Sequence, residues 1–106
     1  MTAAYQVTTT LETESAAAAL AGALVEERLA ACVQVIGPVR STYRWKGAVE
    51  RATEWLCVAK TGEARLTATV ARIRTLHPYE QPEIVATAID AGDTGYLEWI
   101  RRETAG

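Results

Sequence analysis

The sequence has no phenylalanine, one histidine, one methionine, three prolines and two cysteines among its 106 residues. Cys32 and Cys57 are too few for a disulfide framework, and they lack the C-x-x-C spacing of a redox or zinc motif. No apolar run approaches the roughly 18 residues that would cross a bilayer, so a membrane partner is not expected. The first residues show no charged segment leading into an apolar one, so the expectation is a chain without an export signal, working in the cytoplasm with free thiols. Neither charge sign dominates: eleven Lys and Arg face thirteen Asp and Glu, for a net charge of −2. Nucleic-acid binding ordinarily requires a clustered basic face, and Arg72 and Arg74 read as the solvated side of a helix, so that partner is not expected either. There is no P-loop, no G-x-S-x-G, no H-E-x-x-H and no glycine-rich dinucleotide turn.

What is present is largely aliphatic and small. Twenty residues are alanine and 22 are Val, Ile or Leu. Alanine buries little surface, so the core leans on the branched aliphatics, three Trp and four Tyr. The length suits one domain spanning residues 1–106.

Val7-Thr8-Thr9-Thr10, preceded by Ala3-Ala4-Tyr5-Gln6, reads as a strand. Thr13 is a candidate N-cap for a helix running to about Ala30, with Ala17, Leu20, Leu24, Val25 and Leu29 on one stripe. A second strand starts at Cys32 and is interrupted at Gly37-Pro38, because proline cannot donate to a ladder. Extended character resumes through Trp45, turns at Lys46-Gly47-Ala48 and returns from Val49 to Lys60. A helix over 63–76 stops before Pro78. A fourth strand is expected over Pro82–Ile89, and Gly92-Asp93 opens a short terminal helix. The order βαββαβ plus one helix specifies an α+β, ferredoxin-like sandwich with helices on one face of an antiparallel sheet.

The hairpin arms, 33–45 and 49–60, are each long enough to reach roughly 40 Å at about 3.3 Å per residue. A domain of this size has a radius of gyration near 13 Å. The hairpin therefore overhangs its own domain, or else bends sharply at Gly37-Pro38 to fold back over it. If it overhangs, Tyr43, Trp45 and Trp55 sit on a protruding ribbon with open edges, which invites pairing with another chain.

The chemistry-bearing segment is Leu76-His77-Pro78-Tyr79-Glu80-Gln81-Pro82-Glu83. His77 at a helix end is either a cap partnered by Glu80 or a metal ligand. Cys57, between Leu56 and Val58, reads as a buried small residue, whereas Cys32 lies where a helix hands over to a strand. A Cys, His and carboxylate set would suit copper or zinc. Arg44, Lys46 and Lys60 are either solvated edge protectors or receivers of an anionic ligand. A Cys32–His77 nucleophilic pair lacks a legible third group, so an enzyme is not expected.

Leu29-Ala30-Ala31-Cys32-Val33, Tyr43-Arg44-Trp45-Lys46-Gly47, Leu76-His77-Pro78-Tyr79-Glu80 with Pro82-Glu83-Ile84, and Gly95-Tyr96-Leu97-Glu98-Trp99-Ile100 resemble, in order and spacing, the CutA family of divalent-cation tolerance proteins. The resemblance implies a ferredoxin-like homotrimer locked by long hairpins, with Tyr43, Trp45 and Trp55 at the contact, and a non-catalytic role in binding copper or another divalent cation. It carries over Cys32, His77 and Glu80 as the metal set, with Tyr79, Lys60, Trp99 and Arg44 as cleft neighbours. Such trimers also look like the P-II signalling proteins, which implies an alternative: a regulatory trimer binding a small anionic metabolite between subunits. Val49-Glu50-Arg51-Ala52 departs from the family's commoner, more acidic pattern after the turn.

Overall fold

In the computed structural model, which describes residues 4–105, the β-branched opening forms β1 over Ala4–Leu11. Ala3, expected to precede it, lies outside the described residues. Thr13 is extended, and its hydroxyl accepts from the Ala16 amide at 3.1 Å, capping α1 (Glu14–Glu26). Ala17, Leu20 and Leu24 are buried as expected, but Val25 is 43% exposed. Neighbouring helix positions are about 100° apart, so Val25 falls off the stripe that Leu24 centres. The helix closes through Arg28 in the left-handed region (φ 58°), with the Leu29 amide on the Leu24 carbonyl at 2.9 Å. That is a Schellman closure with arginine where glycine is usual.

The hairpin follows as β2 (Cys32–Trp45) and β3 (Ala48–Gly62). Its loop is two residues, Lys46 (φ 50°) and Gly47 (φ 85°), both in the left-handed region that a tight hairpin turn demands. The expected interruption is a bulge: Ile36 pairs with Leu56 and Val39 with Glu54, leaving Gly37 and Pro38 opposite Trp55. Gly37 is needed there for space, since a Cβ would lie 2.3 Å from the Trp55 indole. Trp55 thus packs back onto the core instead of standing on the protruding ribbon with Tyr43 and Trp45. It differs because β1 still pairs at its level, Leu11 opposite Trp55.

After a 3-10 turn (Glu63–Arg65), α2 (Leu66–Leu76) ends at His77, whose extended backbone precedes Pro78. β4 is shorter than expected, Val85–Ala88 instead of 82–89. It pairs with Tyr5–Thr8 of β1, and further along that strand the His77 ring donates to the Thr10 carbonyl. Asp93 caps α3 (Thr94–Glu103) by accepting from the Tyr96 amide at 2.9 Å.

The sheet order is β2-β3-β1-β4, all antiparallel. Alternation puts Val7, Leu11, Cys57 and Ala59 on the face that α1 and α2 cover, and these form the core with Leu20, Leu24 and Ile73. The third helix corrects the expectation of helices on one face. Gly62 points the other way, toward Thr104 and Arg101, so α3 covers the opposite face at its Gly62 end. The rest of that opposite face carries Ile36, Leu56, Val58 and Val85, with Ile36 and Val85 about half exposed. Beyond Trp55 the two hairpin arms pair only with each other, and the molecule measures 44 × 25 × 22 Å. The overhang reading of the hairpin length therefore holds.

Candidate functional site

Two polar clusters lie at opposite ends of the sheet. At the α3 end, Cys32 opens β2 directly opposite Lys60, which is also opposite Gln6 of β1. The Lys60 ammonium donates to the Gln34 side chain. The Cys32 thiol is 3.5 Å from the Tyr96 hydroxyl, and Tyr96 stacks against Trp99 with centroids 5.5 Å apart. The Cys32 contact, followed by burial, holds the Tyr96 phenol above its ordinary range. Cys32, Lys60 and Trp99, singled out in the sequence, thus share one neighbourhood, organised by Tyr96.

At the other end sits the His77 segment. The His77 ring is buried; Nε2 donates to the Thr10 carbonyl at 2.8 Å, while Nδ1 accepts from the Tyr79 amide at 3.2 Å. These partners place the ring hydrogen on Nε2, since the Thr10 carbonyl can only accept and the Tyr79 amide can only donate. The histidine is a structural clamp between the end of α2 and β1, and its cap partner is Thr10 rather than Glu80. Tyr79 packs edge-on against His77 and donates its hydroxyl to Glu54 at 2.8 Å. Burial, then the Glu54 carboxylate, push the Tyr79 phenol strongly upward. Glu80 reaches toward Lys46 at the hairpin turn, 3.8 Å away, both side chains being exposed.

Glu54 escaped the sequence reading. It is 6% exposed at the root of the ribbon. Its only sequence signal is a carboxylate directly before the apolar run Trp55-Leu56-Cys57-Val58.

The metal set does not converge within one chain. Cys32 lies at the level of Lys60 and His77 at the level of Thr10, which pairs with Leu56: four strand positions apart, or about 13 Å. Glu80 is further off, beside the turn. Among the described residues, no group of three His, Cys, Asp or Glu side chains is placed to hold a metal ion. Arg44 and Lys60 are likewise apart. Arg44 pairs with Val49, eleven positions from Lys60 (about 36 Å of strand), and alternation puts the two on opposite faces. Cys57 is buried, 3.8 Å from the Ala17 carbonyl, and burial pushes its thiol up to about 11. Among the described residues, no helix is long and apolar enough to cross a membrane.

A family model described as CutA1 divalent ion tolerance protein matches residues 5–103. The divalent-cation tolerance protein CutA of Thermus thermophilus is 44% identical over 95 residues, covering 90% of this chain and 92% of that protein. Protein CutA of Homo sapiens is 40% identical over 95 residues, and there the chain spans only about half of the relative, 53% of its length. Among solved structures, CutA1 of a psychrotrophic Shewanella superposes with a TM-score of 0.94 at 34% identity, covering 99% of this chain and 98% of that one. Fold, segment order and sequence agree, and the chain belongs to the CutA family of divalent ion tolerance proteins.

Proposed function

We propose that this protein is a non-catalytic homotrimer that binds a divalent cation, copper foremost, in a reducing compartment such as the cytoplasm. The observation that supports association is the ribbon, and the number three follows from the family resemblance. Val39–Trp45 and Ala48–Glu54 overhang the domain, pair with no third strand among the described residues and expose Tyr43 and Trp45. An isolated two-stranded ribbon is marginal in water, so a neighbouring chain is the natural cover. The half-exposed Ile36 and Val85 extend the surface available to copies along the same sheet face.

For the cation, a single chain does not supply a fitting donor set. Cys32, His77 and Glu80 are separated, and both His77 nitrogens are engaged. Any site built from them draws on more than one chain, with the Cys32 thiolate as its sulfur donor. Sedimentation equilibrium should give three times the 11.5 kDa chain mass. Titration calorimetry with Cu²⁺ should show saturable binding that Cys32→Ser removes. A well-folded monomer at micromolar concentration would overturn the first statement, and an unchanged isotherm in Cys32→Ser the second. His77→Ala tests that residue separately, since identical isotherms would take it out of the site.

A second reading is a regulatory trimer that takes a small anionic metabolite between subunits. The half-buried Lys60, held beside Cys32, favours it. A thermal-shift screen of nucleotides and organic acids tests it, and silence across the set would reject it.

A further inference from the structure

The strand pairing assembles a basic site that the linear sequence hides. Arg51 is directly opposite Thr42, with Arg40 opposite Thr53 and Arg44 opposite Val49. Alternation puts all six side chains on one face of the ribbon. Arg40 and Arg44 are the two diagonal neighbours of Arg51, with Cβ atoms about 7–8 Å away. The three arginines are exposed, and among the described residues none of them makes an ion pair. The ribbon's carboxylates cannot neutralise them. Glu50 and Glu54 pair with Tyr43 and Val39 on the other face, and Glu54 is already bonded to Tyr79. A hollow of about 240 Å³ opens beside Arg40 and Arg51, lined also by Ser41, Thr42, Ala52 and Thr53, with Arg44 standing just outside it along β2.

We infer that this hollow is an anion site for an oligophosphate, the di- or triphosphate group of a nucleotide or of inorganic polyphosphate. Edge protection of a ribbon needs only scattered charges, whereas three like charges at diagonal positions repel one another until an anion joins them. Arginine presents a planar fork that matches phosphate oxygens two at a time. Thr42 and Thr53 add hydroxyl donors on the same face. Arg40 and Arg44 stand about 13 Å apart along β2, with Arg51 between them, a spread suited to a chain of phosphates rather than a single one. This goes beyond cation binding and uses none of the metal set Cys32, His77 and Glu80; of the cleft neighbours it takes up only Arg44.

The test is titration calorimetry on the 106-residue protein with tripolyphosphate, ATP and sulfate. Tripolyphosphate should bind saturably and at least tenfold more tightly than sulfate. The double variant Arg40→Gln/Arg51→Gln should bind it at least tenfold more weakly, whereas Arg74→Gln on α2 should match wild type. ATP equal to tripolyphosphate places recognition in the phosphates alone, and tighter ATP adds the nucleoside; both support the site. Should the double variant melt abnormally by circular dichroism, Arg51→Lys replaces it, because it keeps the charge, loses the fork and should still weaken binding several-fold. Absence of saturable heat in wild type, parity with sulfate, or undiminished binding in the variants would overturn the assignment. So would a changed sedimentation of the double variant with no heat in wild type, which would make these arginines a contact between copies.

Discussion

His77→Ala removes a ring that bonds two segments at once. The Nε2 donation to Thr10 and the Nδ1 acceptance from Tyr79 are both lost, along with the edge-on contact to the Tyr79 ring, whose centroid is 4.5 Å away. Each hydrogen bond contributes about 0.5–1.5 kcal/mol, and leaving the half-buried Thr10 carbonyl unpaired costs at most about 1–3 kcal/mol. The aromatic contact adds about 0.5–1.5 kcal/mol. These overlap, so the expected loss is about 2–4 kcal/mol, which for a domain of this size lowers Tm by roughly 10–30 °C. The assay is thermal unfolding by circular dichroism at one fixed chain concentration, because association would otherwise move the midpoint. Two further variants separate the bonds. Gln can restore donation to Thr10, Asn can restore acceptance from Tyr79, and each should recover part of the loss. An alanine variant melting within 2 °C or so of wild type would refute the clamp.

Native protein should alkylate at Cys32 and spare Cys57 until it unfolds, since Cys57 is 1% exposed; mass mapping of both thiols checks this. Because burial raises the Cys57 thiol from 9.0 to about 11, the unfolded chain ionises first. That stability is intact below pH 9 and falls as pH climbs toward 11, by on the order of 2–3 kcal/mol in denaturant titrations; a flat profile there would contradict it. Tyr79→Phe strands the buried Glu54 carboxylate and should cost about 1–3 kcal/mol, read from the urea midpoint. Arg28→Gly relieves a left-handed residue whose only ion pair among the described residues, to Glu103, is long and exposed, and should stabilise by about 1 kcal/mol; a lower melting point would count against it. Gly37→Ala drives a methyl into the Trp55 indole and should destabilise by about 1–3 kcal/mol in the same assay.

The elements were legible where one local signal dominated. Thr13 and Asp93 cap the helices they precede, Pro78 stops α2, and Gly37-Pro38 marks the bulge. The overhang followed from length alone. What failed depended on partners distant in sequence. β4 lost 82–84 because its register with β1 starts at Thr8 opposite Val85, although past its end the Ile89 amide still donates to the Ala4 carbonyl, and no local pattern records that. Trp55 looked like Tyr43 and Trp45 as an aromatic on a strand, and only the reach of β1 to Leu11 separates it from them. In the site, Cys32, Lys60 and Trp99 were found, but Tyr96 as the link between Cys32 and Trp99, and Glu54 as the partner of Tyr79, emerge only from packing. The Arg40, Arg44 and Arg51 face was invisible for the same reason: β2 and β3 contribute to it from opposite sides of the turn.

The Lys46-Gly47 loop has a consequence for how this hairpin can diverge. It closes the two arms in strict register from Trp45–Ala48 down to the bulge. Side chains there alternate with a period of two, so deleting one facing pair would swap every outer residue to the wrong side. Deleting two facing pairs keeps each face as it was and leaves the hydrophobic interior untouched. Length variants of this hairpin should therefore come in quanta of four residues, lost or gained symmetrically about the loop.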